Sequence, residues 1–333
     1  MKKAMDVQFN WVFILIAGAA ILIFFGSIVM KMKDLSARSA SQDTVMQLEK
    51  KFSVSLTQLG KTEEMDFQGK ELIISCDEIR SGKASQTISD PLFSPQNVKG
   101  AKLITLTKAF YMPFHVTNFL YITSSSVRYI LVYDDNEAKE LADNIRKDMG
   151  DKISVEVIKE DQVGTLKDQG HYKTKIVFVN TSDTASVDLI GDIKAVQITK
   201  NANELVFFTG KNMDPEGEDG KSVYLSTDIN EYRETILGAI FAENKEAYEC
   251  SLKRAVKKLN MLSKLYIERT SVLSAPDCDY IQADEDLDHI EEKSSSLLKL
   301  GLSSADANIL KNDANELEAQ NNMLIMNSCP EIY

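Results

Sequence analysis

The feature that most constrains this chain is an apolar run near its start, from Trp11 to Met30. This stretch contains no charged residue. At about 1.5 Å per residue, a helix of this length spans about 30 Å, which is the thickness of the hydrocarbon core of a bilayer. The run therefore predicts a transmembrane helix over residues 11–30, preceded by a short polar terminus over residues 1–10.

The side chains of this run that we expect to face lipid are large and apolar. They are Trp11, Phe13, Ile14, Leu15, Ile21, Leu22, Phe24, Phe25 and Met30. The alternative is a cleavable signal sequence, which has a shorter apolar region followed closely by an A-x-A-like site. Here Ala37 and Ala40 come well after the apolar run, so we expect the segment to be retained as an anchor.

The helical pattern continues beyond the apolar run, through residues 31–60. Neither Gly nor Pro occurs between Lys31 and Leu59. Apolar residues such as Val45 and Leu48 recur three or four positions apart, which is typical of an amphipathic helix, and Gly60 is a typical helix stop. We expect a stalk helix that either packs on its own head or bundles with copies of itself.

The N-terminal residues resemble those of archaeal type IV pilin-like surface proteins. "KKAMDVQFNW" offers a leader junction at Lys3-Ala4, followed by Met5, although the apolar helix begins several residues later than is usual in the family. The resemblance covers residues 1–59 and implies cleavage by a prepilin peptidase and assembly of filaments through the apolar helix. The sequence departs from the family at Asp6, where an apolar residue is usual.

Charge narrows the set of partners. The chain of 333 residues has a net charge of −12. Nucleic-acid binding requires clustered Lys and Arg to neutralise phosphates, so we expect no nucleic-acid partner. An acidic head is also repelled by anionic lipid and is expected to stand away from the membrane surface. The expected partners are the lipid bilayer and, through the N-terminal helix, copies of the chain itself.

The chain has four widely spaced cysteines: Cys76, Cys250, Cys278 and Cys329. They form no C-x-x-C pair, so a zinc site is not expected. An even number of cysteines after a membrane segment favours disulfides in an oxidising compartment. We expect Cys250 to pair with Cys278 and Cys76 with Cys329, although four cysteines allow three pairings. Disulfides in the large domain would place this domain outside the cytoplasm and the N-terminus in the cytoplasm.

Residues 61–126 are expected to be rich in β-strands and loops. β-branched and aromatic residues dominate the stretch "AKLITLTKAFYMPFHVTNFLYITSS", which is typical of two strands. It contains an aromatic group for which we expect core packing rather than ligand binding. Its members are Phe110, Tyr111, Phe114, Phe119 and Tyr121.

Residues 127–227 have the pattern of an α/β domain. Continuous apolar runs at 127–135, 152–160, 174–181, 194–199 and 204–210 predict buried strands. The first is followed by a helical pattern that ends at Gly150, with Asp134 as its expected N-cap. The alternation of strand and helix predicts a mostly parallel sheet.

The segment "ILVYDDNEAKELADNIRKDMG" is similar to the opening of response-regulator receiver domains. The resemblance implies that Asp134 and Asp135 form an Mg²⁺-holding acidic pair and that Lys211 supplies the family's characteristic lysine. The sequence departs from the family where the phosphate-accepting Asp should follow the third strand, because Asn180 stands there. We expect the pair to cap a helix.

Residues 228–333 are expected to be helical, and the whole chain contains no familiar catalytic motif. Neither a phosphate-binding loop nor a G-x-S-x-G or H-E-x-x-H motif occurs, and none of the three histidines lies in such an arrangement. We expect a non-catalytic surface protein with a structural or interaction role and without cofactor or metal. The alternatives are a pilin-like subunit and a membrane-tethered α/β sensor or enzyme.

Overall fold

The computed structural model describes residues 2–55, 60–67, 71–167, 169–181, 184, 187, 189, 191–199, 203–216, 220–226, 233–273 and 278–333. Side chains are described in these ranges except at residues 2–13, at several later positions of the first helix and at Leu300.

The helices are α1 (Lys2–Ser55), α2 (Asn136–Met149), α3 (Glu234–Phe241), α4 (Lys245–Leu273), α5 (Ile281–Leu300) and α6 (Ser304–Met326), and Glu160–Thr165 forms a 3₁₀ helix. The strands are β1 (Thr62–Asp66), β2 (Glu71–Ile74), β3 (Glu78–Ser81), β4 (Ala84–Thr87), β5 (Leu92–Phe93), β6 (Asn97–Lys99), β7 (Lys102–Tyr111), β8 (His115–Ser124), β9 (Val127–Tyr133), β10 (Ser154–Lys159), β11 (Lys173–Val179), β12 (Asp192–Thr199), β13 (Glu204–Thr209), β14 (Asp214–Pro215) and β15 (Lys221–Val223).

The predicted anchor and stalk form one continuous helix, α1, of 54 residues. The apolar run and the following residues lack a helix breaker, so no local signal ends the helix between them. At about 1.5 Å per residue, α1 is roughly 80 Å long. The helix lies against β3, β4 and β7, and the buried residues among its described side chains, Val45 and Leu48, are in its later part.

The central sheet has the strand order β10-β9-β11-β12-β13-β14, with β15 also paired to β13. The neighbours β10, β9, β11 and β12 are parallel, whereas β13 runs antiparallel to β12. The inner strands β9 and β11 are almost fully buried, as expected for parallel strands covered on both faces, whereas the edge strand β10 is only half-buried. The mixed α/β fold with an N-terminal apolar helix is therefore confirmed.

One face of the central sheet packs against the helices. Val177, Val196 and Phe207 of this face are fully buried in a core that also includes residues of α2 to α6. The opposite face forms a second core, which contains Ile176 and Phe178 and is covered by the 3₁₀ helix and by loop residues. Alternate residues of β11 thus enter different cores, which is the two-residue period of a strand.

Two mostly antiparallel sheets connect α1 to the central sheet and its helices. Their orders among the described strands are β1-β7-β8-β5 and β4-β3-β2-β6, with β5 parallel to β8. Leu48 of α1 is buried with Leu72, Leu103 and Ile122 in a third core at this junction.

The aromatic group of β7 and β8 lies mainly inside the protein. Phe110, Phe114, Phe119 and Tyr121 are buried, whereas Tyr111 is partly exposed. Their rings contact one another and the rings of Phe93, Phe241, Tyr266 and Tyr333. The group therefore packs in the core.

Candidate functional site

The predicted acidic pair lies at the carboxyl edge of the parallel strands. Tyr133 of β9 is in register with Val179 of β11, so Asp134 and Asn180 follow neighbouring strands at the same edge. This edge is where open α/β sheets bind ligands. Asp135 and not Asp134 is the N-cap of α2, which corrects the prediction.

The two aspartates differ in their contacts. The side chain of Asp135 accepts a hydrogen bond from the backbone N–H of Ala138 at 2.7 Å. This bond satisfies one of the free N–H groups at the start of α2. Oδ1 of Asp134 is buried without a hydrogen-bond partner among the described residues. The pair therefore contributes one capping carboxylate and one partly buried carboxylate, and Asp135 already has a structural role.

The lysine implied by the receiver resemblance lies elsewhere. Lys211 follows β13, whose Thr209 pairs with Lys194 near the amino end of β12. Because β12 is parallel to β9, this is the edge opposite to Asp134. The implied arrangement of Lys211 beside Asp134 is therefore wrong.

The cysteine pairs also differ from the prediction. Cys76 pairs with Cys250, and Cys278 pairs with Cys329, with Cα–Cα distances of 6.0 and 5.8 Å. The expected Cys250–Cys278 pair is wrong because Cys250 is in the first turns of α4 and Cys278 lies beyond its end. The intervening turns separate the two by roughly 35 Å, whereas a disulfide requires a Cα–Cα distance of about 4.4–6.8 Å. The expected Cys76–Cys329 pair is wrong as well.

The apolar part of α1 is unburied wherever its side chains are described. A 20-residue segment, Ile14–Lys33, is apolar and long enough to cross a membrane, and none of it is buried in the protein. The exposed anchor residues are Ile14, Leu15, Ile21, Leu22, Phe24, Phe25 and Met30. A signal sequence near an N-terminus can also meet these criteria of length and composition.

The remaining N-terminal positions belong to α1, but their side chains lie outside the described residues. These positions are Lys3, Ala4, Met5, Trp11 and Phe13. The predicted leader junction therefore stays a prediction.

Three lysines that sequence analysis did not select lie at the amino edge of the central sheet. Lys173 and Lys175 belong to β11, and Lys194 belongs to β12. Lys173 and Lys175 are only 5% and 4% exposed. By strand alternation they share the sheet face of Val177 and Val196. The sequence signal that could have revealed them is the spacing of Lys173 and Lys175 in "KTKIVFV", two positions apart and in phase with the buried Val177.

Two glutamates supply negative charge to this lysine cluster. Glu243, on the connection between α3 and α4, forms an ion pair with Lys173 and accepts from the backbone N–H of Gln96 at 2.8 Å. Glu216 forms a second ion pair, at 3.2 Å, with Lys194. Buried charges are stable only when they are paired and hydrogen-bonded. Each ion pair also joins a lysine of the central sheet to a glutamate that lies outside β11 and β12.

Lys175 has a different environment. Its Nζ donates to the carbonyl oxygen of Ala242 at 3.0 Å and lies 5.3 Å from the ring centre of Phe207. Burial lowers the pKa of Lys175 to about 8, although Glu216 and Glu243 oppose this change. Lys175 is therefore an amine whose charged form is unfavourable in the folded protein.

A small cavity adjoins Lys175, next to Tyr129 and Ile240. Its volume of about 10 Å³ is near the minimum for one water molecule, so it does not hold a metabolite. Lys175 has a neutral amine accessible at mildly alkaline pH but no space for a substrate. The arrangement fastens the α3–α4 connection to the sheet edge, and we refer to Lys173, Lys175, Lys194, Glu216 and Glu243 as the lysine clamp.

Metal chemistry has no support in the side chains that the structure describes. They contain no group of three or more His, Cys, Asp or Glu residues arranged to hold a metal ion. In comparisons with known proteins, no family model, no curated protein and no solved structure matches the chain significantly.

Proposed function

We propose that this chain is a single-pass, membrane-anchored surface protein with a non-catalytic structural or interaction role. The observation that carries the proposal is the unburied apolar segment Ile14–Lys33, which is continuous with a helix that packs on the head. Apolar side chains that the protein itself does not cover require lipid or another protein as a solvent.

The cysteine pairs support an extracytoplasmic head. All four cysteines are paired, and disulfides persist in oxidising compartments. With the head outside, the N-terminus of α1 lies in the cytoplasm. The net charge of −12 fits a head that remains soluble and stands off an anionic surface.

A pilin-like subunit is the second candidate, and the two-part burial of α1 favours it. Leu22 and Phe24 are exposed, whereas Val45 and Leu48 of the same helix are buried against the head. A helix with a free apolar half and a docked half can supply a filament core without disturbing the fold. In this candidate, Lys3-Ala4 is the cleavage junction that exposes the helix.

One experiment separates the anchor, the pilin-like subunit and the cleaved signal. Native chain is prepared from host membranes after alkaline carbonate washing, its N-terminus is determined by mass spectrometry, and its size is measured after mild detergent extraction. An uncleaved N-terminus with a monomer or small oligomer supports the anchor. A new terminus at Ala4 or Met5 together with filaments supports the pilin-like subunit. A mature chain that begins after Met30 overturns both.

A further inference from the structure

The helices α5 and α6 pack against each other, and each brings a buried aspartate to the region where they meet. Asp286 of α5 is 2% exposed, and Asp313 of α6 is 9% exposed. The Oδ2 atom of each carboxylate is buried and has no hydrogen-bond partner in the described part of the chain. Buried polar atoms are nearly always hydrogen-bonded, so two such oxygens on neighbouring helices require an explanation.

The other oxygens of these carboxylates have only long contacts. Oδ1 of Asp286 accepts from Nε2 of Gln282 at 3.4 Å. Oδ1 of Asp313 lies 3.9 Å from Nδ1 of His289, which is too long for a hydrogen bond. Neither aspartate therefore has the set of donors that normally stabilises a buried carboxylate.

Charged groups of both signs act on the two aspartates. Glu316 of α6 and His289 of α5 act on both, whereas Lys293 of α5 acts on Asp313. Burial is the main cause that raises the pKa of Asp286; Glu316 and Asp313 raise it further, and the hydrogen bond from Gln282 and the charge of His289 oppose them. Burial is also the main cause that raises the pKa of Asp313, where His289 and Lys293 oppose it.

The helix α4, which packs on the other side of α5, supplies its polar groups to other positions. Lys264 of α4 forms an ion pair with Glu291 at 3.2 Å. Thr270 of α4 donates a hydrogen bond to Asp284. Lys264 and Thr270 therefore contact other acidic residues of α5 and not the buried carboxylate of Asp286.

We propose that Asp286 and Asp313 form a proton-binding site that holds α5 and α6 together more tightly as the pH falls. A proton on either carboxylate turns one of its oxygens into a hydrogen-bond donor. The same proton removes a negative charge that is buried between the two helices. The inference concerns the C-terminal helices alone and does not depend on the proposed anchor.

Infrared spectroscopy of the full-length chain in detergent micelles tests the site directly. The C=O band of protonated carboxyl groups is recorded as the pH is raised from about 4 to about 8, across the ordinary aspartate range and above it. We expect part of this band to persist after exposed carboxyl groups have ionised. Asp286→Asn and Asp313→Asn should each remove that part. Glu234, whose pKa burial raises to about 7, has its own band, so the site is identified from difference spectra between each variant and the parent.

Asp288→Asn is the matched control, because Asp288 is an exposed aspartate of the same helix. It changes the net charge equally and should leave the persistent band intact. The proposal is overturned when the difference spectra of all three variants are the same, or when the parent chain shows no persistent band. Melting temperatures provide a second readout. Raising the pH from about 5 to about 7 should lower the melting temperature of the Asp288→Asn chain more than that of the Asp286→Asn chain, and an equal decrease contradicts the proposal.

Discussion

Cys76 and Cys250 are 174 positions apart in the chain, and their disulfide joins the β2–β3 turn to the first turns of α4. The neighbouring Arg254 of α4 forms an ion pair with Asp77 at 2.9 Å. Lys258, one turn later, pairs with Asp90 at 2.7 Å. The covalent bond therefore lies within a polar contact that already positions α4 on the β-rich segment.

Removal of this disulfide should be costly. A cross-link stabilises a protein mainly by restricting the unfolded chain, and its contribution grows with the length of the closed loop. We expect Cys76→Ser/Cys250→Ser to lose about 2–4 kcal/mol of unfolding free energy, and Cys278→Ser/Cys329→Ser to lose less because its loop is shorter. Denaturant unfolding of both variants, with the parent chain that retains both disulfides as the reference, measures the two losses. Peptide mapping without reductant tests the pairing, and a Cys250–Cys278 peptide would contradict it.

Two lysines of the clamp should respond differently to the same substitution. Lys173 pairs with Glu243 and with Asp192, so Lys173→Met leaves a buried carboxylate without its partner. We expect this variant to lose about 3–5 kcal/mol. Lys175→Met removes an amine that is already costly to charge and should change stability at neutral pH by at most about 2 kcal/mol. Equal losses of unfolding free energy in urea would contradict the different roles that we assign to the two lysines.

The two lysines also predict opposite pH dependence. The pKa of Lys175 is lowered to about 8, so between about 8 and the ordinary value of 10.5 the folded chain binds fewer protons than the unfolded chain. Its contribution to stability therefore increases as the pH rises through this window. Although burial lowers the pKa of Lys173, Glu243 and Asp192 outweigh it and raise the pKa. Its contribution is present below 10.5 and is lost as the pH rises further. Unfolding of the parent and the Lys175→Met chain across the window should show the first dependence only in the parent.

The N-cap of α2 gives a local prediction. Asp135→Ala removes the acceptor of the Ala138 N–H and should cost about 1 kcal/mol of unfolding free energy, whereas Asp135→Asn should retain most of the cap. Thermal unfolding with and without Mg²⁺ provides the measurement. Stabilisation by Mg²⁺ that disappears in Asp134→Ala would instead favour a cation site at this edge.

Gly238 of α3 permits a close contact that a larger residue would disrupt. A Cβ atom at this position would lie 2.8–3.0 Å from three ring atoms of Phe93. Overpacking of a rigid core costs about 1–3 kcal/mol, so we expect a loss of this size for Gly238→Ala. Gly164→Ala is the control, because nothing lies within 4 Å of its Cβ position. A double-mutant cycle with Phe93→Leu should recover part of the loss, and full additivity would argue against the contact.

The sequence predicts the structural features that depend on residues close together in the chain. It does not predict those that depend on contacts between distant segments. The helix that ends at Gly150 and the apolar strands, including β9 and β11, follow from short-range periodicity. The cysteine pairing depends on the length and path of α4, which spacing along the chain does not reveal. The clamp and the burial of Asp286 and Asp313 depend in the same way on tertiary packing.

The anchor itself can be tested by a charge in the middle of the apolar segment. Leu22→Arg should reduce stable membrane insertion, because an Arg at the centre of a transmembrane helix costs about 2.5–3.5 kcal/mol. Ser39→Arg, an exposed position beyond the segment, should leave insertion unchanged. The measurement is the fraction of chain that resists carbonate extraction. Equal resistance of the two variants would contradict the proposed anchor.

The unbroken course of α1 has a mechanical consequence. Among the described side chains of α1 beyond Lys33, that of Val45 is the first to be buried, and the helical rise between these two residues is roughly 18 Å. In the proposed anchored arrangement, this length exceeds the Debye length of about 8 Å at physiological salt, so the acidic head and anionic lipid headgroups would be largely screened from each other. A flexible linker of the same length would let the head rotate freely, whereas a continuous helix fixes both the distance of the head from the membrane and its orientation. Rotation of the embedded segment about its axis would then turn the whole head by the same angle.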